Sequence, residues 1–367
     1  MADISLTYLI NKVDYGGAEI GMLRLLSGLD PRHFDCTVVV LKGINSELAD
    51  DLPAHAEFHP LSLHQRPNMR SIRRLWGIID STDVLVSSLF PSIMLGSLGG
   101  ALANVPESYV WRHNTPELSR PRKLLNRLSI RLADGVFVDS MATEQLVIDW
   151  GVPPADVHLL PLAGVDVDKF PAVSHRSGSS TTRVGTIGRL VEQKGYPELL
   201  DCAARLPEYE FHVVGDGPLA PRMADGPTNV IMHGAVTNSE LFELLETIDV
   251  YFQPSRYEGL CITAIEAMAG QLPVVASAVD GLTESIVDGK TGYLVPQGDI
   301  DGYCRRINTL ATDPERRQRF GEAGRNRVRS NYSQEALAAS FIEAIGLGDR
   351  VGSADRPQPA ARNYPSE

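Results

Sequence analysis

The sequence predicts an α/β protein with two doubly wound parallel sheets. Short apolar runs alternate with helix-periodic segments along almost the whole chain, as successive right-handed βαβ units require. The runs are mostly continuous Val/Ile/Leu stretches, as expected of strands covered by helices on both faces. The length, 367 residues, suits two domains better than one.

Taken in order, the first half offers strands at Ile4–Ile10, Thr37–Leu41, Asp83–Ser87, Ser108–Trp111, Gly135–Val138 and Val157–Leu160. Helical periodicity fills segments between them, such as Ala18–Gly28, Asn68–Ile79 and Arg122–Leu132. The second half repeats the rhythm with strands at Arg183–Ile187, Glu210–Val214, Val230–His233, Val250–Gln253, Val274–Ser277 and Tyr293–Val295. Between the halves, Asp168–Arg183 breaks the periodicity with Pro, Gly and Ser, as an interdomain linker does. The expected domains are therefore 1–168 and 169–330, closed by helices at Pro314–Ser330 and Gln334–Ile345 and a frayed tail over 348–367.

Composition narrows the function. With 43% hydrophobic and 22% charged residues the chain is no disordered segment. Thirty-four basic against 46 acidic side chains give a formal charge of −12, which argues against a nucleic-acid coat. A bound phosphate would need locally concentrated cations. The four cysteines, Cys36, Cys202, Cys261 and Cys304, form no CxxC pair, so no zinc ribbon or redox motif is expected. The N-terminus shows no signal-peptide pattern and no apolar run reaches about 18 residues, so a cytoplasmic protein is expected.

In an open α/β sheet, ligands sit outside the carboxyl ends of the strands. After the first strand come Gly16 and Gly17, opening a helix. Paired glycines there fit a close backbone approach to an anion, and equally a tight turn with no ligand. The strand at Arg183–Ile187 runs into GRLVEQKG, where Arg189 and Lys194 suit a diphosphate or are simply solvated charges. The richest stretch is QPSRYEGLCITAIEAMAGQLPVVAS. Its helix, expected from about Leu260 to Ala269, is almost wholly apolar and carries Glu266 in its middle, so that carboxylate requires a partner such as an arginine, a backbone N–H or a ribose diol. Glu258 lies about two helical turns earlier, with the amides of Gly259, Leu260 and Cys261 between the two carboxylates. A carboxylate, an anion-binding helix end and a second carboxylate match a sugar–diphosphate–nucleoside.

Glu258 and Glu266 form an E-x7-E pair that resembles the motif of GT-B glycosyltransferases, in particular the mostly retaining, nucleotide-sugar-dependent family four of the group 1 type. Further matching pieces appear in order: GGAE at Gly16–Glu19, RHN at Arg112–Asn114, VDS at Val138–Ser140 and GVD at Gly164–Asp166. GRLVEQKG, VVGDGP at Val213–Pro218, HGAV at His233–Val236 and DGKTGYLVP at Asp288–Pro296 follow. The resemblance runs from the first strand to about residue 345. One departure is Ala163 before Gly164-Val165-Asp166, where the family often has asparagine.

The resemblance implies a GT-B fold: two Rossmann-like domains facing an interdomain cleft, acceptor in the first and nucleotide sugar in the second, with the last helix crossing back onto the first. It implies that Arg189 and Lys194 neutralise the departing diphosphate, helped by the amides of Gly259, Leu260 and Cys261. Glu258 would hold donor-sugar hydroxyls, Glu266 the ribose, and Gly16 and Gly17 the diphosphate or the acceptor. His113 matches the family's histidine beside the donor sugar; from its residue context alone it is a satisfied core or edge histidine. The implied partners are a nucleotide-sugar donor and a hydroxyl acceptor, with no cofactor, no metal and no nucleic acid.

Other signals point elsewhere. Asp166-Val167-Asp168 matches a DxD metal motif, at the domain boundary. DGKTG resembles the end of a P-loop, but Glu284 stands where its first glycine belongs. His55, His59 and His64 read as solvated loop residues. Gly215-Asp216-Gly217 begins a dinucleotide fingerprint that Pro218 and Ala220 interrupt, which counts against an oxidoreductase. A GT-B epimerase or phosphorylase-like enzyme stays open as an alternative. Arg112, Arg120, Arg122, Lys123, Arg127 and Arg131 lie in or beside one helix with leucines interleaved. Over 120–131 that reads either as an ordinary helix, apolar face on the sheet and basic face in water, or as a peripheral contact with the anionic inner face of the cell membrane.

Overall fold

The computed structural model describes residues 4–14, 16–45, 52–61, 69–113, 120–172 and 181–348. They divide into two units, Met1–Gly164 with Gln334–Glu367, and Val165–Ser333.

The first unit runs β1 (Ile4–Ile10), α1 (Gly17–Gly28), β2 (Phe34–Val40), β3 (Ala56–Pro60), α2 (Met69–Asp80), β4 (Val84–Ser88), α3 (Ser92–Ala103), β5 (Glu107–Arg112), α4 (Arg120–Ile130), β6 (Gly135–Val138), α5 (Met141–Asp149) and β7 (Val157–Leu159). Its seven strands are parallel in the order β3-β2-β1-β4-β5-β6-β7. The strand order reverses between β1 and β4, the crevice where open sheets bind ligands. The pleat divides the apolar residues between two cores. Leu6, Tyr8, Val38, Val86, Trp111 and Phe137 pack with α1 on one side, while Leu9, Val39 and Leu85 pack with Leu75 and Ile79 of α2 on the other.

The second unit runs β8 (Arg183–Ile187), α6 (Tyr196–Arg205), β9 (Glu210–Val214), α7 (Ala220–Ala224), β10 (Val230–Gly234), α8 (Asn238–Leu245), β11 (Val250–Gln253), α9 (Ile262–Ala269), β12 (Val274–Ser277), α10 (Asp280–Ser285), β13 (Gly292–Val295), α11 (Ile300–Ala311) and α12 (Pro314–Asn331). Its six strands are parallel in the order β10-β9-β8-β11-β12-β13. The last helix, α13 (Gln334–Ala344), belongs to the first unit, where Leu337, Ala338 and Phe341 join the core beside α1.

Several elements differ from the sequence reading. The division falls at Gly164/Val165, ahead of the Pro/Gly/Ser-rich segment; residues 173–180 of that segment, His64, Asn114 and the tail from 349 lie outside the described residues. His59 sits in β3, with Arg74 donating to its Nδ1 at 2.7 Å, and His55 Nε2 meets Leu26 O at 2.8 Å. These two are not free loop histidines. β3 escapes a periodicity search because its burial is only partial.

Helix α4 inverts its expected amphipathicity. It buries Asn126, Ser129 and Ile130 and exposes Leu124, Leu125 and Leu128. Two cations of the 120–131 run reach towards Trp150, while the side chains of Arg120 and Arg122 lie outside the described residues. Arg112 is buried on β5, the guanidinium of Arg127 lies 5.5 Å from the Trp150 ring, and Arg131 donates to Trp150 O at 3.1 Å. Together with Met69, Ile72 and Trp76 of α2, Leu98 and Leu102 of α3, and Leu132, the α4 leucines make nine of the eleven exposed large hydrophobics among the described residues.

Candidate active site

In the second unit, three loops meet at the carboxyl edge of the sheet. After β8 the chain passes Gly188, Arg189 and the buried Leu190, makes a single 3-10 turn at Glu192–Lys194, and enters α6 through Gly195. Gly195 has φ 72°, and a side chain there would collide with Pro254 O, so glycine lets the loop after β8 lie directly on the loop after β11. The two loops are joined by Arg256 N to Gln193 O at 2.8 Å and Gln193 Nε2 to Tyr257 O at 3.1 Å. The third loop leads into α10, whose first residue Asp280 accepts through Oδ2 from Glu258 N at 3.1 Å.

This packing sets Lys194 Nζ 2.7 Å from Glu258 Oε1, with the carboxylate side chain 6% exposed. The same oxygen accepts from Ser255 Oγ at 2.7 Å, Ser255 Oγ accepts from Gln253 Nε2 at 2.7 Å, and Gln253 Oε1 accepts from the Tyr251 hydroxyl at 2.9 Å. A hydrogen-bonded row thus anchors Glu258 Oε1 from inside the sheet. Burial works against the charge on Lys194, but the Glu258 carboxylate and its hydrogen bond help raise the pKa on balance, so the ammonium persists. The nearby Arg189 charge acts in the opposite direction. Burial pushes the Cys261 thiol up to about 12, which keeps it neutral and unsuited to nucleophilic work.

Helix α9 begins at Ile262, later than expected, because Cys261 takes a left-handed conformation with φ 59°. Glu258 is therefore in the loop and not on the helix axis, and only Glu266 has helical placement. The amides of Gly259, Leu260 and Cys261 have no acceptor among the described residues, and they precede the positive end of the helix. Glu266 is half-buried on the one less covered face of α9, with Ile262 and Thr263, and so is reachable from outside the core. Arg189 is exposed. Lys194, Glu258 and the three amides thus share one edge of the second sheet, with Arg189 close enough to Lys194 for their charges to interact.

His113, Gly16 and Gly17 belong to the first unit. His113 closes β5 and is buried, with Nδ1 2.5 Å from Asp139 Oδ2 and Nε2 2.8 Å from Ser88 Oγ. A carboxylate only accepts, so Nδ1–H donates to Asp139 and Nε2 accepts from the Ser88 hydroxyl. Asp139 Oδ1 also accepts from Trp111 Nε1 at 2.9 Å. Both ring nitrogens are committed, so His113 reaches a substrate only by giving up Ser88. Asp139 entered the sequence reading only as the middle of the VDS match and Ser88 not at all, although both stand at carboxyl ends of strands.

Gly16 caps α1, and a Cβ there would overlap the carboxylate of Glu19, which is 6% exposed. Burial raises the pKa of Glu19; its own amide, Lys12 and His113 lower it by less. A group held by Gly16 and Gly17 would have the Glu19 carboxyl for a neighbour. Asp166 and Asp168 are taken up locally: Asp166 Oδ1 accepts from Asp168 N at 3.3 Å, and the carboxylates pair with Lys169 at 3.3 Å and Arg329 at 3.2 Å. Among the described residues no group of three His, Cys, Asp or Glu side chains could hold a metal ion.

Two family models match the chain, "Glycosyl transferases group 1" over residues 173–327 and "Glycosyl transferase 4-like domain" over 16–163. The fold and this edge of the sheet define a two-domain GT-B protein. The chain belongs to the GT-B glycosyltransferases of group 1. It is 28% identical over 348 residues to a GDP-mannose-dependent alpha-(1-6)-phosphatidylinositol monomannoside mannosyltransferase of Mycolicibacterium smegmatis, spanning 86% of this chain and 91% of the relative. It is 30% identical over 231 residues to an MMP alpha-(1->4)-mannosyltransferase of Mycolicibacterium hassiacum, covering 60% of this chain and only 55% of that protein. Among solved structures, Anabaena Alr3699/HepE in complex with UDP and glucose has a TM-score of 0.76 at 18% identity, covering 94% of this chain and 99% of that one. Sucrose-phosphate synthase from Thermosynechococcus elongatus has a TM-score of 0.75 at 19% identity, covering 95% and 100%.

Proposed function

We propose that this protein transfers a sugar from a nucleoside diphosphate to an acceptor hydroxyl, with retention of anomeric configuration and without a metal ion. The observation that carries this reading is the joint placement of Lys194, Glu258 and the amides of Gly259, Leu260 and Cys261 at one sheet edge. Breaking the bond between the anomeric carbon and the diphosphate sends its electron pair to the leaving oxygen. Arg189, Lys194 and the three amides lower the energy of that developing charge by being oriented beforehand. Glu258 Oε1 is occupied, so Oε2 is the oxygen that accepts from donor-sugar hydroxyls. Glu266 accepts from the ribose. The acceptor oxygen then bonds to the same face of the anomeric carbon, and its proton passes to a diphosphate oxygen.

On this reading no protein carboxylate acts as nucleophile, and His113 orients rather than reacts. The test is a thermal-shift screen with UDP, GDP, ADP and their sugars, followed by NMR of the product's anomeric centre. Stabilisation by a nucleoside diphosphate and a product with the donor's anomeric configuration are expected. No response to any nucleotide removes the reading, and an inverted product removes retention. Product formed from donor alone, without an acceptor, would favour the epimerase.

Peripheral membrane contact is part of the same proposal, and its support has moved from the cations of 120–131 to the exposed leucines. Leu124, Leu125 and Leu128 are exposed on α4, which packs beside α3 with its exposed Leu98 and Leu102, more apolar exposure than scattered single residues give. In the described residues no helix is long and apolar enough to cross a membrane. The protein would then work at the inner face of the cell membrane. Flotation with phosphatidylglycerol vesicles should recover the protein, and Leu124→Glu with Leu128→Glu should release it. Equal recovery of both proteins removes the membrane contact.

A further inference from the structure

Inside the first unit, at the carboxyl ends of β1, β4 and β5, is a cavity of about 190 Å³. Phe90, Ile93 and Trp111 form its apolar side, and Asn11, Arg112 and Asn126 its polar side. Most of those polar groups are committed. Asn11 Nδ2 donates to Phe90 O at 2.6 Å, and its Oδ1 accepts from Ser92 N and Oγ. The nearby His113 has both nitrogens engaged. Asn126 differs from these: it is 1% exposed, lines the cavity, and neither Nδ2 nor Oδ1 has a hydrogen-bond partner.

Leaving a buried amide unpaired costs about 1–3 kcal/mol for each polar atom. A leucine, of similar size, would carry no such cost. The side chain therefore points to a ligand. Its chemistry follows from the two open atoms, since Nδ2 only donates and Oδ1 only accepts. A carboxylate would satisfy the first and repel the second. Neighbouring hydroxyls, which both donate and accept, satisfy both. The apolar side suits the C–H face of a ring, and the volume, below the roughly 300–1,000 Å³ of drug-sized pockets, holds no more than one small ring.

The geometry points to a subsite for a single neutral, hydroxylated ring, read by the Asn126 amide with Arg112 beside it. Calling this ring the acceptor's rests on the transferase reading above; the binding itself does not. Saturation-transfer NMR with the methyl glycosides of glucose, mannose and galactose, without any nucleotide, tests it on the whole protein. At least one glycoside should bind, shifting the side-chain amide resonance of Asn126. Asn126→Leu should weaken that binding at least ten-fold without lowering the melting temperature. If no glycoside binds, if the Asn126 amide resonance does not move, or if the variant binds unchanged, the subsite is overturned. The amide resonance decides the matter even where the variant fails to fold. Failure of all nucleotides in the thermal-shift screen, with glycoside binding intact, would remove the transferase and leave the subsite.

Discussion

Lys194 Nζ and Glu258 Oε1 are 2.7 Å apart, although 64 residues separate them in the chain. This buried ion pair ties the two loops that carry the candidate donor site, alongside the more exposed Arg256–Glu192 pair at 3.1 Å. Removing a single partner of such a pair leaves a buried charge uncompensated. Lys194→Met should destabilise the second unit by about 3 kcal/mol. The double variant Lys194→Met with Glu258→Met should recover most of that stability and none of the transfer activity. Scanning calorimetry reads it, because Trp76, Trp111 and Trp150 all lie in the first unit and fluorescence is blind to the second. A double variant as unstable as the single one would contradict the pairing.

Glu266 separates function from stability. It is half-buried on α9, so Glu266→Ala should leave the protein folded, with far less stability lost than for Lys194→Met. Loss of a charge-assisted hydrogen bond to the donor, worth about 1.5–3 kcal/mol, should reduce transfer about ten-fold or more. Near-normal turnover would remove Glu266 from the donor site.

Asp139 holds His113 and Trp111 at once. Asp139→Asn cannot accept both N–H groups in the same geometry, so it should destabilise the first unit by about 2 kcal/mol. Tryptophan fluorescence during urea unfolding measures this. Nitrogen NMR of His113 should show the proton leaving Nδ1 for Nε2, and an unchanged tautomer would contradict the assigned pairing.

Glu19 gives a pH signature. Its folded pKa is raised above 4.5, mainly by burial, so the folded state binds the proton more readily than the unfolded chain. Stability from this group is fully present below the unfolded value and is lost as pH rises through the raised one. Glu19→Gln should therefore gain stability over the native protein at pH 8 and lose that advantage at pH 4. A difference independent of pH would show that Glu19 is not strained.

Strand positions at Ile4–Ile10, Gly135–Val138, Arg183–Ile187, Glu210–Val214 and Val250–Gln253 were legible to the residue, because buried parallel strands are short, continuous apolar runs. The candidate donor residues were legible as types at strand ends. Their relationships were not. Nothing in the spacing says that Lys194 would be paired with Glu258, since the loops that join them meet only through tertiary packing. The left-handed Cys261, which delays α9, is equally invisible, because a cysteine carries no such preference. On α4 the leucines looked like a core face, yet Asn126, Ser129 and Ile130 are buried, Arg127 and Arg131 meet Trp150, and the leucines stay outside. An amphipathic pattern identifies two faces without saying which one the sheet takes.

The second unit begins at Val165 and ends at Ser333, residues joined by a parallel bridge, with Val165 N donating to Tyr332 O at 2.8 Å. Its two ends emerge side by side, as those of a cassette spliced into another fold. The host pays for this in time. Phe341 and Leu337 of α13 complete its core, so the strands before Gly164 must wait for a helix that follows the whole guest before they can finish folding, and a chain cut at Ser333 would release an intact guest within an unfinished host.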